Sequence, residues 1–204
     1  MGTKDLILSV AVKEFAKVGY DGLSMNNLVK KLNINKATIY YHFKDKRSLY
    51  NEVIKSEMTK GNSNIKAIFD EKKDGKTLFK DYLDAIILSI KQSPDIVSLA
   101  LREKANFGVY VDESFIPYIE EEIKYLENIF NKLNLKNKYK NMDIYAIYGL
   151  IYGTIETFYI IKMTNLPVAK DNKLKLNSEK TLKYISNLIS NILLDAIVEE
   201  EENN

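Results

Sequence analysis

The sequence predicts an all-α protein of about nine helices, arranged as an N-terminal domain of residues 1–46 and a C-terminal domain of residues 47–204. Apolar residues recur at three- and four-residue spacing almost continuously along the chain, which is typical of amphipathic helices. No segment alternates apolar and polar residues convincingly enough to predict a β-strand. A chain of 204 residues is long enough for one or two domains, each with a buried core.

The first two helices are predicted before residue 33. The first covers residues 4–18, and its apolar face consists of Leu6, Ile7, Val10, Ala11, Phe15 and Val18. The second follows Ser24, whose hydroxyl can accept a backbone N–H and cap the helix. Its apolar face consists of Leu28, Val29 and Leu32. Asn33 tolerates the left-handed backbone conformation, which predicts the end of this helix.

A third helix is predicted directly after a tight turn at Ile34. Asn35 is a good cap for this helix, and Ile39 and Phe43 are expected to face inward. A helix, a short turn and a second helix with a polar N-terminal surface is the layout of a DNA-binding helix-turn-helix, whose second helix enters the major groove. The candidate DNA contacts are Asn35, Lys36, Ala37, Thr38, Tyr40, Tyr41, His42 and Lys46.

The remaining pattern predicts six further helices. Asp45 is expected to cap the fourth, which either stops near Gly61 or continues to about residue 69. Residues 72–76 form the clearest loop. The other helices are predicted over residues 77–92, 94–106, 113–133, 143–164 and 178–199. Residues 166–167 are expected to end the penultimate helix, and residues 199–202 are expected to fray.

The run IYYHFKDK at residues 39–46 has a distinctive order of aromatic and charged residues. Upstream, a further set fits the same pattern: Ile7, Ala11, Phe15, Gly19 and Tyr20. Over about residues 4–58 the chain resembles the TetR family of bacterial transcriptional regulators. Two positions depart from the pattern, Asn33 where glycine is usual and Met25 where a small polar residue is common.

This resemblance implies a three-helix DNA-binding domain followed by a helical ligand-binding and dimerisation domain. It also implies that Ser24 and Asn26, at the start of the second helix, approach the DNA backbone. A homodimer would present two recognition helices about one DNA turn apart, roughly 34 Å, to a partly palindromic operator. The expected function is that of a repressor released from double-stranded DNA by a small hydrophobic or cationic effector.

Charge is distributed unevenly along the chain. Residues 1–60 hold 11 Lys and Arg against 6 Asp and Glu, whereas residues 61–204 hold 19 against 22. A basic N-terminal region attracts phosphates. The sequence contains no cysteine, and His42 is its only histidine, which excludes thiolate nucleophiles, Cys metal sites and His-based metal or relay sites. We therefore expect no enzyme, cofactor or metal site, and the lack of a signal peptide favours the cytoplasm.

Residues 144–163 are unusually apolar and about as long as a membrane span. Glu156 interrupts the stretch, so we expect a soluble helix and no membrane association. A strip of small residues lets another helix approach closely, and it consists of Ala146, Gly149, Gly153 and Thr157. The family resemblance implies that this helix and the last one form a four-helix dimer interface, with candidate residues Ile185, Leu188 and Ile192. The alternative is that the strip packs inside one subunit.

An aromatic stripe along the same helix either packs in the core or lines a pocket that would suit a flat or cationic small molecule. The candidate pocket residues are Tyr82, Ile86, Phe107, Tyr118, Tyr148, Tyr152 and Glu156. Glu156 either pairs with a cationic ligand or makes a structural contact. Three alternatives to a ligand-released repressor stay open: an activator, a regulator that needs no ligand, and a helical small-molecule-binding protein or enzyme whose N-terminal bundle is only structural.

Overall fold

The computed structural model describes residues 2–163 and 178–199, and within them the chain forms nine α-helices and two short 3-10 segments. The predicted helix end at residues 166–167 and residues 200–202 lie outside this described part. The helices are α1 (Thr3–Gly22), α2 (Met25–Leu32), α3 (Lys36–His42), α4 (Lys46–Ile68), α5 (Gly75–Gln92), α6 (Asp95–Ala105), α7 (Ile116–Asn131), α8 (Ile144–Met163) and α9 (Ser178–Ile197). The all-α prediction is therefore confirmed.

Helix α1 loses its regular geometry where the sequence predicts its end. Gly19 has φ 75° and ψ 177°, a combination that residues with a side chain rarely adopt. The chain then makes a last short turn to Gly22 before α2. This break turns the backbone toward the helix-turn-helix.

Helix α4 is continuous through Gly61, which settles a point that the sequence left open. Asp45 precedes it, and its carboxylate accepts hydrogen bonds from the backbone N–H of Ser48 at 2.7 Å and from the Ser48 hydroxyl at 2.9 Å. These bonds lower the pKa of Asp45. Asn62 and Ile65 are buried beyond the glycine. Their packing offsets the cost of about 1 kcal/mol that glycine imposes on a helix.

The chain divides into two compact units. The N-terminal unit comprises Met1–Gly61 and Ile90–Ile119, and the C-terminal unit comprises Asn62–Ser89 and Glu120–Asn204. Each unit is thus discontinuous in sequence. The functional boundary predicted after residue 46 stays a prediction.

The N-terminal unit has its core between α1, α2, α3, α4 and α6, with α1 packed against both α2 and α6. Its fully buried large side chains include Ile7, Phe15, Leu28, Ile39, Leu49 and Tyr50. Phe15, Tyr20 and Tyr50 form an aromatic cluster with ring centroids 4.7–6.3 Å apart. The core therefore extends directly behind the helix-turn-helix.

The C-terminal unit is built from α5, α7, α8, α9 and the end of α4. Its core includes Leu78, Phe79, Tyr82, Leu83, Leu126, Ile151 and Ile155. Residues 134–136 are tied to the end of α9, because Lys136 donates its N–H to the Ile197 carbonyl and Glu199 donates to that of Asn134, both at 2.8 Å. Helix α8 packs against α9.

Candidate nucleic-acid interface and effector centre

The turn between α2 and α3 is shaped by short polar side chains. Ser24 accepts a hydrogen bond from the backbone N–H of Asn27 at 3.4 Å, at the start of α2. Asn33 ends that helix with φ 53° and ψ 43°, in the left-handed region. Asn35 accepts from the Ala37 N–H at 3.0 Å and caps α3. All three local expectations from the sequence are confirmed.

One face of α3 is fixed by the core. Ile39 and Phe43 are buried, as is Leu28 on α2. The apolar residues behind α3 hold its angle, so its opposite face points away from the core. This arrangement gives a short helix with one rigidly supported, outward-facing surface.

The outward surface of α3 carries aromatic and basic side chains. Tyr41 is 85% exposed and Tyr40 is 41% exposed, whereas Thr38 and His42 are half-buried. The exposed Lys36 ammonium lies 5.8 Å from the centroid of the Tyr40 ring. The remaining predicted contacts on α2, the turn and α3 are also exposed: Ser24, Asn26, Asn35 and Ala37. Their contact with DNA stays a prediction.

Lys46 has partners of its own inside the N-terminal unit. Its ammonium donates to the Asp21 carbonyl at 3.3 Å and lies 4.6 Å from the centroid of the Tyr20 ring. If Lys46 contacts a DNA phosphate as predicted, its ammonium would interact both with that phosphate and with the end of α1. The neighbouring Arg47 donates to the Val109 carbonyl at 3.3 Å.

Arg102 on α6 binds the end of α1. Its guanidinium donates to the carbonyls of Ala16 and Lys17, each at 3.2 Å, just before the break at Gly19. Tyr110 donates to the Asp21 carboxylate in the same region. No local sequence pattern predicts these contacts, because the partners lie more than 80 residues apart along the chain.

A carboxylate lies at the centre of the tyrosines in the C-terminal unit. Glu122 on α7 is only 5% exposed. Its Oε1 accepts hydrogen bonds from the hydroxyl of Tyr82 at 3.1 Å and from that of Tyr152, and Tyr148 also bonds to the carboxylate. We call Glu122 with these three tyrosines the effector centre, after the small-molecule pocket that the sequence predicts here, and ligand binding at it stays a prediction. Three of the predicted pocket residues therefore lie around Glu122, a residue that the sequence pattern did not indicate.

Burial controls the acidity of this centre. Desolvation raises the pKa of Glu122 to about 7, against the smaller opposing effect of the three tyrosine hydrogen bonds. Burial, and then the nearby Glu122 charge, raises the pKa values of Tyr82, Tyr148 and Tyr152. The Glu156 charge also contributes to the raised pKa of Tyr148. The tyrosines therefore stay protonated at neutral pH, while Glu122 titrates there.

The other predicted pocket residues are distributed over both units. Ile86 and Glu156 are buried in the C-terminal unit. Tyr118 is half-buried and belongs to the N-terminal unit. Phe107 is 94% exposed in a turn of the N-terminal unit, so the expectation that it lines a pocket is corrected. Phe107 lies in the turn that follows α6, where its backbone is left-handed with φ 54°.

Helices α8 and α9 present exposed apolar residues. Among the predicted interface residues, Ala146, Gly149, Thr157, Leu188 and Ile192 are exposed, and a Cβ atom at Gly149 or Gly153 would meet nothing within 4 Å. Ile185 is instead 3% exposed, so its assignment to the interface is corrected: it packs in the core of its own unit. Leu150 on α8 and Tyr184 on α9 are also exposed, although the sequence pattern did not indicate them.

The described residues also bear on two other kinds of site, a metal site and a membrane span. In residues 2–163 and 178–199, no group of three or more His, Cys, Asp or Glu side chains could hold a metal ion. One helix in that part of the chain, α8, is long and apolar enough over Ile144–Ile161 to cross a membrane by length and composition. The core helix of a soluble protein meets the same criterion.

The fold and the supported α3 surface define an all-α protein with an N-terminal helix-turn-helix. Residues 7–53 match the family model described as bacterial regulatory proteins, tetR family. Over these residues the chain is similar to the TetR family. Over 52 residues it is 42% identical to the biofilm operon icaADBC HTH-type negative transcriptional regulator IcaR of Staphylococcus aureus (strain Newman), covering 26% of this chain and 28% of that protein. The chain thus matches little more than a quarter of this relative's length.

Solved structures resemble the chain over almost its whole length. The ketosteroid transcriptional regulator KstR2 of Mycobacterium tuberculosis superposes with a TM-score of 0.69 at 14% identity, covering 98% of this chain and 96% of that one. The transcriptional regulator FadR from Bacillus subtilis, in complex with stearoyl-CoA, gives a TM-score of 0.65 at 17% identity, covering 94% and 98%. At these identities the likeness establishes the shared fold.

Proposed function

We propose that this chain is a homodimeric transcriptional repressor that binds operator DNA through α3 and leaves it when a small molecule binds the C-terminal unit. The observation that carries this proposal is the outward surface of α3, with Tyr41 85% exposed above a buried Ile39. A recognition helix requires such a surface, because major-groove readout needs free side chains on a helix whose angle is fixed from behind.

The comparisons support a repressor over an activator. The relative that shares the helix-turn-helix is described as a negative regulator, and a neighbour with the same fold is described in complex with an acyl-CoA. A repressor of chromosomal genes would work in the cytoplasm. Linkage requires the effector to bind the DNA-incompetent state more tightly, and DNA must weaken effector binding by the same factor.

The DNA-binding assignment is tested with an operator selected from genomic fragments by the purified protein. We expect Tyr41→Ala to weaken operator binding by about 1–3 kcal/mol, measured by fluorescence anisotropy, because it removes a side chain at the base edges. Phe107→Ala is the matched control, since it removes another highly exposed aromatic ring outside α3. If the Tyr41→Ala variant binds the operator as tightly as the wild type does, the recognition-helix assignment is refuted.

The charge assignment has a separate test. Lys36→Ala should make the dependence of log affinity on log salt concentration shallower by about 1 if Lys36 contacts a phosphate. Lys66→Ala, an exposed lysine on α4, should leave that slope unchanged. An unchanged slope for the Lys36 variant would remove Lys36 from the set of phosphate contacts.

The dimer is proposed to form through the exposed apolar faces of α8 and α9. Ile192 is 58% exposed, and the open space at Gly149 and Gly153 would let a partner helix approach closely. We expect Ile192→Glu to produce monomers in sedimentation velocity, because it would bury an unpaired charge in the interface. Val109→Glu, at an exposed position of the N-terminal unit, is the control. A dimeric Ile192 variant would place the interface elsewhere.

A further inference from the structure

Within residues 2–163 and 178–199, the hydrogen bonds that Glu122 accepts come from tyrosine hydroxyls. Tyr82 on α5 and the two tyrosines on α8 donate to it, and no Lys or Arg contributes to its pKa shift. Buried carboxylates are normally neutralised by a basic side chain, since isolated charges are costly in a medium of low dielectric constant. Here the surroundings supply hydroxyl groups and aromatic rings instead of a cation.

The aromatic part of this centre is partly accessible. Tyr148 and Tyr152, one helical turn apart on α8, keep some accessible surface although burial strongly raises their pKa values. Their ring centroids are 4.5 Å apart, and the ring planes are inclined by 33°. Glu156, a further turn along α8, is buried and adds negative potential at Tyr148. Aromatic faces and carboxyl groups thus occur together on one side of the helix.

We propose that the effector centre takes an organic cation, a protonated or quaternary amine on an apolar body, with Glu122 as its counter-charge and the tyrosine rings against its apolar surface. This inference rests on the proposed function only in treating the centre as the effector site. A positively charged ligand would supply the counter-charge that no Lys or Arg among the described residues gives Glu122. Aromatic rings also attract cations through their negative faces. A neutral apolar molecule gains only the burial of its surface.

Proton exchange follows from this pairing. In the empty protein below neutral pH, Glu122 holds a proton, because burial raises its pKa. Entry of a cation favours the carboxylate, so the carboxyl O–H bond breaks and the proton passes to the buffer. The groups that face Glu122 are Tyr82, Tyr148, Tyr152 and, through Tyr148, Glu156. The tyrosines remain protonated, so cation binding releases up to one proton from Glu122.

The test compares two probes of the same shape. Benzyltrimethylammonium carries a quaternary nitrogen where neopentylbenzene carries a carbon, and binding of each to the full-length protein is measured by ligand-observed NMR without DNA. We expect the wild type to bind the cation at least about tenfold more tightly than the neutral probe. Glu122→Gln should abolish this preference, while Glu120→Gln, an exposed carboxyl on the same helix, should preserve it.

Calorimetry in buffers of different ionisation heat gives a second readout at about pH 6, where Glu122 is mostly protonated. Wild-type protein should release protons on binding the cation, and the Glu122→Gln variant should release none. Tyr152→Phe serves as a second variant should the first fail to fold. Tyr152→Phe removes a hydrogen bond that favours the carboxylate form of Glu122. This variant should therefore bind the cation more weakly and still release protons.

Several outcomes overturn the proposal: no cation binding by the wild type, equal binding of both probes, or a preference that survives Glu122→Gln. Should that variant fail to fold, an unchanged cation affinity in Tyr152→Phe overturns it. DNA binding is measured separately in the absence of probe. Failure of the cation proposal with intact operator binding therefore leaves the repressor assignment standing. If the protein binds no operator but shows a cation preference that depends on Glu122, the repressor proposal is refuted and the cation-site proposal stands.

Discussion

Replacing Glu122 by glutamine should change how stability depends on pH. Burial raises the pKa of Glu122 to about 7 in the folded protein, from 4.5 as the ordinary value. Between these values the folded state holds the proton more tightly than the unfolded state does. The wild type therefore loses stability as pH rises from 4.5 to about 7, and the loss is complete above that range.

The size of the effect follows from the two pKa values. At about 1.36 kcal/mol for each pH unit, the interval from 4.5 to about 7 corresponds to about 3 kcal/mol. Glutamine keeps an oxygen that can accept from Tyr82 and Tyr152, yet it does not ionise. The Glu122→Gln variant should therefore become more stable relative to the wild type, by up to this amount, across the same interval.

Urea unfolding at a series of pH values, followed by far-UV circular dichroism, measures this difference. The comparison cancels other titrating groups, including Asp45, Asp74 and Asp112, whose lowered pKa values make stability fall at lower pH. Glu120→Gln is the matched control and should follow the wild-type curve. Parallel pH profiles for the wild type and the Glu122 variant would show that Glu122 is already ionised or solvated, and would refute the reasoning.

Three backbone positions give further predictions. Gly19→Ala should destabilise the protein by about 1–3 kcal/mol in urea unfolding. The reason is that φ at Gly19 is 75° and the new Cβ would lie 3.2 Å from Arg102 Nη1. An unchanged unfolding midpoint would contradict the strained geometry. Gly75→Ala should cost about 1–3 kcal/mol, since its Cβ would lie 2.9 Å from the Lys132 backbone; thermal unfolding at the wild-type Tm would disprove that close approach. Phe107→Gly should stabilise by about 0.5–1 kcal/mol through relief of the left-handed backbone, and a lower Tm would indicate that the exposed ring makes a stabilising contact.

Local signals in the sequence were sufficient for the helix-turn-helix. Asn33 and Asn35 act through their own backbone or that of residues one turn away, so their roles depend on few other parts of the chain. The inward direction of Ile39 and Phe43 follows from helical spacing alone. The outward surface of α3 could therefore be predicted residue by residue before the fold was known.

The effector centre could not be predicted from local sequence patterns, because its contacts join residues that lie far apart along the chain. Glu122 lies in a helix where three successive glutamates look like a solvated face. Its partners Tyr82 and Tyr152 lie 40 and 30 residues away in sequence, and only the packing of three helices brings them together. The sequence pattern pointed to Glu156 instead, because this residue interrupts an apolar stretch.

The assignment of faces on α9 had the same difficulty. Helical spacing identifies Ile185, Leu188 and Ile192 as apolar, but it does not say which of them meets α8 of the same subunit. The structure buries Ile185 and exposes Ile192. A continuous helix through Gly61 was equally undecidable, because the burial of Ile65 that supports it is a tertiary effect.

The contact of Arg102 with the carbonyls of Ala16 and Lys17 has a consequence for protein engineering. A chimera that joins the first 46 residues to the C-terminal part of another protein of this fold would leave these two carbonyls without their guanidinium donor. Exchange of the helix-turn-helix should therefore succeed better when residues 90–119 are transferred together with the N-terminal segment. The transferable module is then two pieces of chain, and the second piece supplies the donor for carbonyls of the first.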